Sequence, residues 1–162
     1  MKRNFLMASF LTGCLCLFST QCDSDDDGNA PIDNSAEIAA IISTAQDGTW
    51  RISSYIDSGQ DETSDYNGYS FLFASNGTLT ATSLTATRTG TWSVTDDSNS
   101  NDDSNDDNDI DFNILFAVAN EDDIFDDLND DWDVVSYTNT QIQLRDVSGG
   151  DGSVDTLTFV KN

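Results

Sequence analysis

Histidine is absent from the 162 residues. Its absence removes the usual general base near neutral pH, the Ser/His/Asp and Cys/His nucleophile arrangements and the commonest zinc ligand. Cysteine is confined to positions 14, 16 and 22. Everything beyond Cys22 therefore lacks an internal disulfide, a thiol nucleophile and a thiolate metal site. Proline occurs once, at Pro31, and basic residues number six against thirty acids. Two of those six, Lys2 and Arg3, precede every acid. The chain beyond position 21 thus carries four cations (Arg51, Arg88, Arg145, Lys161) against thirty anions, a net of −26. A field of that sign repels nucleic acid and anionic lipid headgroups and favours solubility. No Gly-rich phosphate loop, G-x-S-x-G elbow or dinucleotide fingerprint is present. Pairs of carboxylates are plentiful, but nothing marks one as held across a cleft with a raised pKa, as glycoside hydrolysis requires. We therefore expect no enzymatic activity.

What is present begins with an export segment. Lys2 and Arg3 precede an uncharged apolar run from Phe5 to Thr20, too short and too interrupted by Ser9, Thr12, Gly13, Ser19 and Thr20 to span a bilayer. The run ends at Cys22 and meets Asp23-Ser24-Asp25-Asp26-Asp27. This resembles a bacterial lipoprotein precursor, in which the cysteine after the apolar segment is acylated and becomes the new N-terminus. Leu11-Thr12-Gly13-Cys14 fits the lipobox better by letter, but cleavage there would leave Leu15, Leu17 and Phe18 exposed, so Cys22 is the expected site of lipid attachment (palmitate among its acyl chains). The acidic residues behind it resemble the signal that sends some lipoproteins to the outer face of the outer membrane. The resemblance implies a lipid-anchored protein on the cell surface, with the membrane as its first partner.

The expected organisation is a signal peptide over 1–21, an acidic tether over 22–33 and one domain over 34–162. Asp23, Asp25, Asp27 and Gly28 match the opening of an EF-hand loop, but position twelve would be Asn34, so the run reads as tether. Asn34 and Glu37 have capping-box spacing, and Ile38, Ile41, Ile42 and Ala45 share a helical face before Gly48, which predicts a short helix. Beyond Gly48 the apolar period becomes two. Trp50, Ile52 and Ile56, then Tyr69, Phe71 and Phe73, then Ile110 to Val118 alternate with polar residues. Asn76-Gly77 marks a hairpin before a threonine-rich run from Thr78 to Thr89. Gly90 to Val94, Val134 to Tyr137, Thr140 to Val147 and Val154 to Val160 bring the total to about eight strands. The expected fold is all-β, an antiparallel up-and-down barrel, closed or half-open.

Gly48-Thr49-Trp50, after a short helix and before a series of up-and-down strands, resembles the start of lipocalin-like domains in bacterial surface lipoproteins, over roughly residues 46–162; Gly90-Thr91-Trp92 repeats the triplet. The resemblance implies a non-enzymatic binding module whose cup holds a small apolar ligand, or which joins a surface assembly. Trp50, Tyr69, Phe71, Phe73, Trp92, Phe112 and Phe116 are the cavity-facing candidates. The same alternation also fits a filled core. Lipocalins further carry disulfides, absent here, and a basic partner for the first-strand tryptophan, a role the sequence leaves open for Arg145. The alternative is an interaction protein with a filled barrel whose acidic loops take calcium or partner proteins.

Residues 96–109 contain only seven Asp, four Asn and three Ser. Such a stretch reads as a solvated loop. Its carboxylates Asp102, Asp103, Asp106, Asp107 and Asp109 are the calcium candidates, and no other cofactor is expected. Glu121 to Asp133 holds eight acids, with Ile124, Leu128 and Trp132 at helical spacing beside Phe125. This predicts a helical turn capping the barrel mouth.

Overall fold

Helix α1 (Ser35–Gln46) buries the face that the spacing predicts: Ile41 and Ala45 are buried, and Ile38 and Ile42 pack beside them. The computed structural model of the chain describes residues 33–96, 110–120, 123–147 and 152–162. The helix begins where expected, but without a capping box. Asn34 makes no cap bond; its Nδ2 donates to Asp96 Oδ1 at 3.2 Å, while Asp33 Oδ1 accepts from Ser35 N at 3.1 Å. The capping side chain therefore comes one residue earlier, and Asn34 ties the helix to the sheet.

Nine strands follow: β1 (Trp50–Asp57), β2 (Gln60–Asp61), β3 (Ser70–Phe73), β4 (Thr78–Thr82), β5 (Thr87–Asp96), β6 (Ile110–Phe116), β7 (Asp130–Thr138), β8 (Gln141–Val147) and β9 (Val154–Lys161). All their pairings are antiparallel, and β1 also pairs with β9 from Trp50↔Lys161 to Ile56↔Thr156. Eight described strands thereby close into an up-and-down barrel, with two-residue β2 appended to β1. Closure removes the sheet edges that an open meander would expose.

Local chemistry sets the corners. Gly77 at φ +79° makes the β3–β4 turn after Asn76, its N–H donating to Ala74 O at 3.0 Å. The threonine-rich run does not form one strand. It breaks at Ser83, whose Oγ accepts from Ala86 N at 3.1 Å, and returns as β5. Gly90 is required by proximity: a β-carbon there would lie 2.4 Å from Leu115 O on β6.

The closing wall is uneven. β3 pairs with β4 along its whole length, but with β1 only at Trp50↔Phe71. Beyond that point β1 turns away to pair with β2, and a 3-10 turn (Thr63–Tyr66) fills part of the seam.

Candidate functional site

The barrel interior is the first place to look for a site, and the inward positions of the strands decide what is in it. Trp50, Phe71, Phe73, Trp92, Phe112 and Phe116, six of the seven aromatic candidates, are buried. Four of them, Phe71, Phe73, Trp92 and Phe112, form one ring cluster together with Phe159. Phe73 stands edge-on to Trp92, Phe112 and Phe159 at centroid separations of 5.3, 5.3 and 5.4 Å. Phe71 meets Phe159 at 5.4 Å, and Trp92 stacks on Phe112 at 5.6 Å. Edge and offset contacts at such spacings are the preferred packing of aromatic quadrupoles. The seventh candidate, Tyr69, is only half-buried and packs outside this column, edge-on to Phe125 at 5.1 Å.

Each indole finds a main-chain acceptor. Trp50 Nε1 donates to Ala45 O at 2.8 Å, Trp92 Nε1 to Ala74 O at 3.0 Å and Trp132 Nε1 to Leu128 O at 3.1 Å. The first of these holds α1 across the end of the barrel where β1 begins and β5 finishes. The basic partner of the first-strand tryptophan is Lys161, whose Nζ lies 5.9 Å from the Trp50 ring centroid and 2.6 Å from Asp47. Arg145 instead pairs with Asp133 at 3.2 Å.

Residues 123–129 close the opposite end. They cap the mouth as expected but form successive turns rather than a helix, with Asp126 N donating to Asp123 O and Asn129 N to Asp126 O. Phe125 and Leu128 point inward and are buried, whereas Trp132 belongs to β7. Two phenols latch this lid: Tyr55 donates to Asp127 O at 3.0 Å and Tyr66 to Ile124 O at 2.5 Å. Burial pushes both phenols above their ordinary range, so both remain protonated donors. Arg88 adds an ion pair to Asp123 at 3.1 Å, with its guanidinium 5.7 Å from the Phe125 centroid. Around the lid, burial and then Asp57, Asp127 and Asp65 raise the pKa of Glu62. At the foot of β7, burial, followed by a hydrogen bond with the Asp131 carboxyl, pushes Asp130 up to about 7.

Among the described residues, no three carboxylates are disposed to hold a metal ion. The calcium candidates Asp102, Asp103, Asp106, Asp107 and Asp109, the expected lipid-attachment site Cys22 and the Asp23-to-Gly28 motif all lie outside the described residues.

Two clefts open on the outside of the barrel. One, of about 360 Å³, occupies the seam between β1 and β3 and includes Arg51, Asn67, Tyr69, Ser70 and Asn162. The other, of about 440 Å³, runs over the outer face of β3 and β4 past Leu72, Thr80 and Leu84. They adjoin at Gly68 and Ser70. Pattern reading missed this surface because it looks for buried faces. One signal was available: from Tyr66 to Thr95 the chain carries no acid.

No family model matches the chain, and no curated protein matches it. Among solved structures, a DUF4847 family protein from Bacteroides vulgatus ATCC 8482 is similar at 15% identity and a TM-score of 0.44, over 75% of this chain and 97% of that one. A likeness this distant says nothing of what the chain binds.

Proposed function

We propose that this protein is a lipid-anchored, non-enzymatic interaction module that displays a packed barrel outside the cell and recognises its partner on the barrel's outer surface. One observation carries the choice of surface over lumen: the Phe73 ring is in contact with Trp92, Phe112 and Phe159 inside the closed wall. An apolar cargo there would have to displace close-packed rings, at several kcal/mol per large side chain. The turn over 123–129, latched by Tyr55 and Tyr66, adds to that cost. The cup with a small apolar ligand therefore yields to the filled barrel.

The anchoring rests on the apolar segment ending at Cys22 and on the acidic residues behind it. Metabolic labelling with a clickable fatty acid tests it: the natural chain takes up label and the Cys22→Ala variant does not. Label retained by that variant overturns the attachment site. Native mass spectrometry of protein from its own host tests the lumen, where a stoichiometric small apolar molecule would restore the cup.

A further inference from the structure

Three of the four cations beyond position 21 are matched to a carboxylate: Arg88 to Asp123, Arg145 to Asp133 and Lys161 to Asp47. Arg51 has no such partner among the described residues, although acids outnumber cations thirty to six in the chain. It lies exposed in the seam cleft. Among the described residues, no carboxylate side chain lines this cleft or the groove that continues it. In so acidic a chain, that surface is set apart by charge.

We propose that the two adjoining clefts form one groove that binds a short acidic oligosaccharide, with a uronate carboxylate on Arg51. A guanidinium offers a carboxylate two parallel donors, a geometry that an exposed arginine without an internal partner leaves open. At physiological salt the field of distant carboxylates is screened beyond about 8 Å. A ligand anion in the groove therefore responds to the nearby guanidinium more than to the net charge.

Hydroxyls and amides continue the groove. Ser70 Oγ accepts from Asn162 Nδ2 at 3.0 Å, which leaves its own proton to donate. The same amide nitrogen is held by Thr49 Oγ1 at 3.1 Å, so this corner is fixed before a ligand arrives. At the junction a β-carbon built on Gly68 would meet nothing within 4 Å, so the passage is open. Beyond it, exposed Leu72 and Leu84 offer apolar surface to the C–H faces of a sugar ring. β3 pairs with β1 only at Trp50↔Phe71, so part of its edge faces the seam. The hydroxyls, amides and exposed leucines of the groove match a sugar better than a glutamate chain, and pentaglutamate tests the peptide alternative.

The assignment rests on reading the protein as an exterior binding module, and its test is independent of the anchor and the lumen. Trigalacturonate, neutral maltotriose and pentaglutamate are titrated into the whole protein and into Arg51→Ala. Expected are saturable binding of trigalacturonate, weakened roughly tenfold or more by Arg51→Ala, with an unchanged melting temperature and much weaker binding of the other two probes. Absence of saturable binding, equal binding by Arg51→Ala or equal binding of maltotriose would overturn the site. Preference for pentaglutamate would reassign it to acidic peptides. In each of these cases fatty-acid labelling at Cys22 and an empty native mass spectrum would still support the module reading.

Discussion

The side-chain amide of Asn129 pairs with both main-chain groups of Phe116: its Oδ1 accepts from Phe116 N at 2.5 Å and its Nδ2 donates to Phe116 O at 3.1 Å. A side chain here takes the place of a strand neighbour. β6 pairs with β7 only from Asp111↔Asp133 to Ile114↔Asp130, so Phe116 lies two residues past the last strand partner. Asn129→Ala should cost about 2–3 kcal/mol, because it removes three side-chain hydrogen bonds, the third to Asp126 Oδ1, and strands a partly buried N–H. Urea unfolding measures the loss, and amide exchange should quicken first at Phe116.

The lid depends on two phenols whose rings also touch, Tyr55 and Tyr66 at 5.5 Å. Tyr66→Phe keeps the ring contacts and loses only the bond to Ile124 O, an expected cost of about 1 kcal/mol. Exchange over 123–129 should rise more than exchange in β1 or β9. A uniform rise would show that the lid opens only with the whole barrel.

Phe73 stands at the centre of the aromatic column. Phe73→Ala should destabilise by about 3–5 kcal/mol and leave an apolar void. Such a void stays dry and accepts xenon or benzene. Uptake by the variant but not by the natural protein is the expected result, and equal uptake by both would refute the packed lumen.

Gly90 admits no larger residue without movement, since an added β-carbon would sit 2.4 Å from Leu115 O and 2.9 Å from Phe116 Cδ1. Gly90→Ala should cost about 1–3 kcal/mol as an overpacking change. Guanidinium unfolding measures it. An unchanged midpoint would mean that β5 and β6 are farther apart than this geometry requires.

Stability should fall as pH rises through the range in which Asp130 loses its proton. Its carboxyl stands at about 7 in the fold, against about 3.9 for an unperturbed aspartate. Between these values the folded state binds more protons than the unfolded one, so each step upward in pH favours unfolding. The half-buried carboxyl is best tolerated below about pH 4, and its penalty is complete above about 7. Glu62, raised by burial and its acidic neighbours, acts in the same sense. Melting temperatures should therefore be higher at pH 5 than at pH 8, and Asp130→Asn should flatten that slope.

The alternation of Trp50 with Ile52, of Phe71 with Phe73 and of Ile110 through Phe116 was enough to declare a sheet with one dry face, because side chains on a strand point alternately to its two sides. Asn76-Gly77 announced its hairpin because a tight turn needs a residue with positive φ. Other features depended on partners that a linear pattern does not name. The break at Ser83 hides in a run of threonines, each of which suits a strand. Ile124, Leu128 and Trp132 read as a helix face because their spacing is helical, yet the first two lie in turns and Trp132 belongs to β7.

The sequence by itself determined that most of the large apolar side chains would be buried on strands and how charge would be shared along the chain, since composition and period are properties of the line of residues. It did not place Ile56 and Tyr69 at the edge of the core or Tyr55 and Tyr66 inside it. Tertiary structure alone decided that β1 closes on β9, that Asn129 substitutes for a strand neighbour of Phe116, and that Arg51 stands in the seam with no ion pair among the described residues. Each of these depends on which distant segments meet. A two-residue period fixes the face of a strand but carries no information about its neighbour.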